Sequence, residues 1–153
     1  MIEVKGLTDP RLDGLSHEVV RHGRVSSLEE AAEARGVSPS QVIKTMVVRK
    51  TAGNYLFVLV PGDRVISWPK LRHHLGVSRL SMPDAEEARE VTGYARGSIT
   101  PLGSLRQLPV IADERIRGDV SLGAGVPGVA ITVSGEALIS SLDAVVADVT
   151  DPV

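Results

Sequence analysis

Cysteine is absent from this chain. That removes disulfides, thiolate metal sites and a cysteine nucleophile, and it agrees with a reducing compartment. Aromatic residues are almost missing too, with one Trp, two Tyr and one Phe in 153 residues. The core must then be built from Val, Leu, Ile and Ala, and aromatic platforms for stacking single-stranded nucleic acid are not expected. No apolar run approaches the length of a membrane span, and the start Met1-Ile-Glu-Val-Lys-Gly6 lacks the charged-then-apolar order of a signal peptide. The expectation is a cytoplasmic protein without membrane contact. An excess of positive charge is also missing: 17 Lys and Arg against 19 Asp and Glu leave a net charge of −2. No global field draws in a polyanion, so any such contact needs a local patch.

What is present suffices for one domain spanning residues 1–153, with 42% hydrophobic residues to fill a core. Residues 1–14 carry no period, and Pro10 and Gly14 interrupt them, so that stretch is expected to be irregular. His17 to His22 reads as a short strand. Ser27-Leu-Glu-Glu30 is a capping box before a helix that Gly36 should close. Ser38-Pro39-Ser40-Gln41 repeats the start signal and predicts a second short helix. Val42–Arg49 and Tyr55–Val60 form two β-rich runs around Thr-Ala-Gly-Asn, the clearest hairpin in the chain. The second run is apolar at every position, which places it centrally in a sheet. Helices follow over Pro69–Leu75 and from Asp84 to about Val91. Strands are expected at Pro109–Ala112, Val120–Leu122 and Val129–Val133, then a helix capped by Ser134 and a last strand over Ala144–Val149. Strands and helices mix without strict alternation, so the expected fold class is α+β: a mixed, barrel-like sheet flanked by helices.

The loop Thr92–Gly103 holds three glycines and a proline in twelve residues, too few apolar groups for a core element. Gly93, Gly97 and Gly103 could present bare N–H groups to an anion or a developing oxyanion, or the loop could be an ordinary surface connection. Lys44 interrupts an apolar run, between Val42-Ile43 and Met46-Val47-Val48. It either snorkels to the sheet edge or is held inside with a partner, where burial would alter its protonation. Gly123-Ala-Gly125-Val-Pro-Gly128 has the glycine spacing of a dinucleotide loop, but a strand follows it where that fingerprint needs a helix. A nucleotide-binding reading is disfavoured on that ground. His17, His22, His73 and His74 show no zinc-binding spacing, no Gly-x-Ser-x-Gly elbow occurs, and Ser98 has no evident activating base nearby. No metal and no cofactor are expected. Arg21, Arg24, Arg96, Arg106, Arg115 and Arg117 could contribute to a phosphate patch or simply be solvated surface.

Taken together, Gln41-Val-Ile-Lys44-Thr45, the loop from Thr92-Gly-Tyr94 through Gly97 to Ile99-Thr-Pro101-Leu-Gly103, Leu108-Pro109, and Gly123 to Gly128 resemble the YbaK family. These are editing domains associated with prolyl-tRNA synthetase, and the likeness runs from about His22 to Asp148. The resemblance implies an aminoacyl-tRNA deacylase that hydrolyses a mischarged ester. The chain looks most similar to the free-standing type that clears Cys-tRNA(Pro). Lys44 and Gly97 match the catalytic positions, with the backbone of Gly97 receiving the ester carbonyl. Thr45, Tyr94, Ser98, Pro101, Gly103, Gly125 and Ala130 fall around the substrate. In that type the substrate's own side chain assists cleavage, so no protein nucleophile is needed. The resemblance departs at Ala130, where the family carries aspartate, at Val20, where it carries tyrosine, and at Ser98, where a second glycine stands. The implied partners are the acceptor end of aminoacyl-tRNA and prolyl-tRNA synthetase, with a monomer as the expected state. The contrasting reading is a catalytically idle module that holds tRNA or a synthetase in the same groove.

Overall fold

The computed structural model describes residues 4–153. Strand β1 (His17–Arg21) is followed by helix α1 (Leu28–Arg35), the hairpin β2 (Ile43–Thr51) and β3 (Asn54–Pro61), and a short β4 (Arg64–Ile66). Helices α2 (Trp68–Leu75) and α3 (Ala85–Thr92) come next, then β5 (Val110–Asp113), β6 (Asp119–Gly123) and β7 (Val129–Ser134). Helix α4 (Gly135–Ser141) and the short strands β8 (Val145–Ala147) and β9 (Thr150–Pro152) complete the chain. The caps fall where the sequence placed them. Ser27, Asp84 and Ser134 accept from the backbone N–H three residues on, and Gly36 closes α1 at φ +72°.

β3 is the centre of a four-stranded sheet ordered β2-β3-β5-β8, antiparallel to β2, while β3–β5 and β5–β8 are parallel. Both of its faces are covered. Phe57 and Leu59 join a core with Leu122, Ile131 and Leu138, while Leu56, Val58 and Val60 pack with Leu71 of α2 and Val149 on the other side. Each such side chain contributes about 1.5–3 kcal/mol by leaving water. A second sheet, β1-β7-β6, is antiparallel throughout, and its Ser121 is bridged to Val42 at the head of β2. The expected barrel-like sheet is thus two open sheets that share one core, and among the described residues no strand order closes on itself.

Three local expectations change. Ser38–Gln41 makes a 3-10 turn over Pro39–Gln41 and no helix, because the β-branched pair Val42-Ile43 draws the chain straight into β2. The expected last strand is shorter, and β9 follows it to pair antiparallel with β4. The segment expected to be irregular holds two 3-10 turns, Lys5–Thr8 and Pro10–Leu12, and buries Leu12; its first three residues lie outside the described part. Asp9, between those turns, accepts the Arg11 guanidinium and the Gly103 N–H, the latter at 2.8 Å. Arg11 donates in turn to Pro101 O at 2.7 Å, and the Gly6 N–H reaches Ala124 O at 3.0 Å. The N-terminal segment thus ties down both glycine-bearing segments.

Candidate active site

A cavity of about 1070 Å³ opens between the β2 edge and the two glycine segments. One wall is β2, with Lys44 and Thr45; another is Arg96, Gly97, Ser98 and Ile99; a third is Gly123 and Val126–Val129. Segments far apart in sequence therefore rim one space. Its wall carries His22, Arg24, Arg35, Lys44 and Arg96 and, among the described residues, no acidic one. A chain of net charge −2 has thus concentrated positive charge at one place.

Lys44 lies opposite Val60 in the β2–β3 ladder and is partly buried. Its Nζ donates to Arg64 O in β4 at 2.6 Å, so the amine is held by a partner and two of its protons stay free for other acceptors. Burial lowers its pKa from the ordinary lysine value, against the raising pull of the Asp63 carboxylate. Lys44 also lines a smaller apolar cleft of about 210 Å³ with Met46, Val65 and Trp68. The carbonyl that receives the amine is itself supported. Arg64 donates to Thr150 Oγ1 at 2.7 Å, and that hydroxyl donates to the fully buried Asp113 at 2.9 Å.

Gly97 takes φ +91°, and a side chain there would meet nothing within 4 Å. It is exposed and lines the cavity, and its left-handed backbone leaves the peptide edge without a covering side chain. The neighbouring Ser98 N–H is committed to Ala95 O at 2.9 Å, whereas among the described residues the Gly97 N–H has no acceptor. A free backbone donor of this kind can meet a developing oxyanion.

Of the sequence candidates, Lys44, Thr45, Gly97 and Ser98 reach the cavity wall. Tyr94, Pro101, Gly103, Gly125 and Ala130 stand behind it. The buried Tyr94 hydroxyl donates to Leu102 O at 2.6 Å, and its ring lies against Gly125. Burial, with Asp9 nearby, pushes its pKa up to about 12. Ala130 is fully buried and sits opposite Val20 in the β1–β7 ladder, so two of the positions that depart from the family pattern are cross-strand partners. Among the arginines, Arg24 and Arg96 join the cavity, Arg106 stacks over Tyr55 with 5.4 Å to the ring centroid, and Arg115 pairs with Asp113 and Asp148. Among the described residues no His, Asp and Glu cluster could hold a metal ion, and no helix is long and apolar enough to cross a membrane. Sequence reasoning passed over Arg35, which reads as the customary last-turn cation of α1. It also missed Asp9 and Asp113, whose burial no local pattern announces.

The model of the aminoacyl-tRNA editing domain matches residues 22–140. The chain belongs to that family. It is 34% identical to the proline–tRNA ligase of Heliobacterium modesticaldum over 128 residues, covering 82% of this chain and 22% of the ligase. The chain spans about a fifth of the length of the ligases it matches. It is 26% identical to a protein of Enterococcus faecalis provisionally named Cys-tRNA(Pro)/Cys-tRNA(Cys) deacylase EbsC, over 81% of this chain and 77% of that one. A solved structure described as a provisional trans-editing enzyme for prolyl tRNA synthetase superposes with a TM-score of 0.84, at 25% identity and 99% coverage of both chains. A hypothetical protein, APE2540, does so at 0.83 and 28% identity, covering 93% of this chain and 96% of that one. The family assignment and the fold agree with what the residue pattern implied.

Proposed function

We propose that this editing domain hydrolyses the ester between a small amino acid and the 3′ end of a tRNA, acting in trans on mischarged tRNA(Pro). The observation that carries the reading is the meeting of Lys44, the unbonded Gly97 N–H and the second glycine segment around one basic cavity. The names of the relatives supply the substrate class: one is a provisional Cys-tRNA(Pro) deacylase, and others are proline–tRNA ligases.

An aminoacyl ester is already activated, so its hydrolysis needs positioning and stabilisation of the tetrahedral oxyanion more than a strong nucleophile. The Gly97 N–H donates to the carbonyl oxygen as negative charge develops there. The Lys44 amine, tethered to Arg64 O, supplies a second hydrogen-bond donor from the β2 wall. Water adds to the carbonyl carbon, the ester C–O bond breaks, and the ribose oxygen leaves with a proton. The products are the free amino acid and uncharged tRNA. Prolyl-tRNA synthetase is the proposed source of the mischarged substrate, since the homologous region lies within that enzyme in the relatives.

The test is a deacylation screen of tRNA(Pro) charged with Cys, Ala, Ser or Thr. The intact protein should clear at least one of these, and Lys44→Ala should slow that reaction by roughly 100-fold or more, the scale of losing one oxyanion-stabilising group. RNA binding without hydrolysis across the panel would leave only a binding module.

A further inference from the structure

We propose that Arg35 forms a phosphodiester subsite in the cavity wall, taking a phosphate of the tRNA acceptor strand. The proposal rests on the tRNA reading above and deepens it.

Arg35 ends α1 and lines the cavity. Its Nε is closed off from water and has no hydrogen-bond partner, while one terminal nitrogen finds only Ser121 Oγ, at 3.5 Å. That distance is at the limit of a hydrogen bond. Among the described residues no carboxylate lies within ion-pair range of Arg35, and none lines the cavity. A half-buried cation with an unmet donor destabilises the free protein, and burial lowers its pKa accordingly. Nε is closed to a ligand as it is to water, so an anion that arrives with the ligand meets the terminal nitrogens, whose fork matches two oxygens of a phosphate.

The placement fits. Ser121 is bridged to Val42, which stands two residues, about 7 Å, from Lys44 along β2. Arg35 and Lys44 line the same cavity, so an ester beside Lys44 brings acceptor-strand phosphates into the space that Arg35 borders. Arg24 and Arg96 line the same cavity and add positive charge for neighbouring phosphates.

The experiment measures binding of a short single-stranded RNA ending in CCA, uncharged, to the intact protein across a salt series. Arg35→Met keeps the aliphatic stem and drops the charge. It should weaken binding roughly tenfold and reduce the slope of log affinity against log salt by about 0.7, the value of one phosphate on a single strand. Arg35→Lys should restore the slope but only part of the affinity. Without RNA, Arg35→Met should melt at the same temperature as the parent or higher, because it removes an unpaired guanidinium; a purely structural arginine would give the reverse. Binding and slope unchanged in Arg35→Met, or no binding by the parent protein, would overturn the subsite. Arg35-dependent RNA binding in a protein that hydrolyses no ester would uphold it while removing the deacylase reading.

Discussion

Tyr94 and Gly125 stand in contact across the two glycine-bearing segments: a Cβ placed on Gly125 would lie 2.5 Å from Cε1 of the Tyr94 ring. The same ring carries its hydroxyl to Leu102 O and to the edge of Gly103, where an added Cβ would sit 2.8 Å from the oxygen. One aromatic residue therefore fixes the spacing of two cavity walls from behind.

Gly125→Ala should be severely destabilising, because it combines the clash with a backbone at φ +102° that side chains avoid. The expected loss is about 2–4 kcal/mol, the range for overpacking together with backbone strain. Thermal melting checks it. Gly97→Ala, at φ +91° but with open space around it, should lose about 1–2 kcal/mol from the backbone alone.

Alkaline sensitivity should trace to Tyr94. Its folded pKa is raised to about 12 by burial, above the ordinary tyrosine value of about 10. The folded state thus binds the proton more tightly than the unfolded chain, so this residue's contribution is complete below about pH 10 and declines as pH climbs through about 12. Tyr94→Phe should lose about 1 kcal/mol at neutral pH and flatten the alkaline decline. Melting curves on both proteins from neutral pH upward decide this, and equal alkaline slopes would contradict it.

Asp9 should govern acid sensitivity at the opposite end of the scale. Burial disfavours its charge, but the donors from Arg11 and the Gly103 N–H outweigh that and hold its carboxyl below the usual range. A depressed carboxyl gives stability that is full above the unfolded value of about 4 and is lost as pH falls through the folded one. Asp9→Asn should cost about 1–3 kcal/mol at neutral pH and remove that acid dependence. Limited proteolysis should then cut sooner within residues 4–12, because Gly103 and Pro101 lose their tether.

Thr150→Val should act on Lys44 from a distance. It deletes the hydroxyl linking Asp113 to Arg64, whose carbonyl receives the amine. Asp113 keeps its donors from Arg115 and the Val149 N–H, so the expected loss is about 1 kcal/mol for the one hydrogen bond removed, with a fall in kcat larger than any change in KM. Deacylation kinetics beside melting data separate the two effects.

Val20→Tyr and Ala130→Asp should be coupled, since the two residues face each other between β1 and β7. Ala130→Asp alone places a carboxylate at a fully buried position and should lose several kcal/mol. The double variant, restoring the pair that the family pattern implies, should recover at least about 0.5 kcal/mol beyond additivity. A double-mutant cycle in denaturant measures it.

Much of this molecule could be read from residue order because its signals are local. The serine and aspartate caps, the glycine stops and the unbroken apolar run of β3 each act within a few residues. The cavity wall at Lys44 and Gly97 was legible for a related reason: a lysine in an apolar strand and a glycine-dense loop are conspicuous without any partner. What stayed hidden was long-range. β4 and β9 are three residues each, and neither alternates; they exist because the chain end returns to Arg64. Asp9 and Asp113 look like surface acids until the donors that bury them arrive from 94 and 37 residues away. Arg35 is ordinary by position and unusual only by what it lacks.

The two larger sheets meet at the Val42–Ser121 bridge, whereas β2 and β3 share a continuous ladder. Backbone bonding is thin at that seam, and side chains hold it instead: Phe57 and Leu59 share one core with Leu122 and Ile131. Amide exchange at Gly123 and Val42 should outrun that of β3, whose strand is laddered on both sides, so the groove's rim should open to solvent long before its floor does.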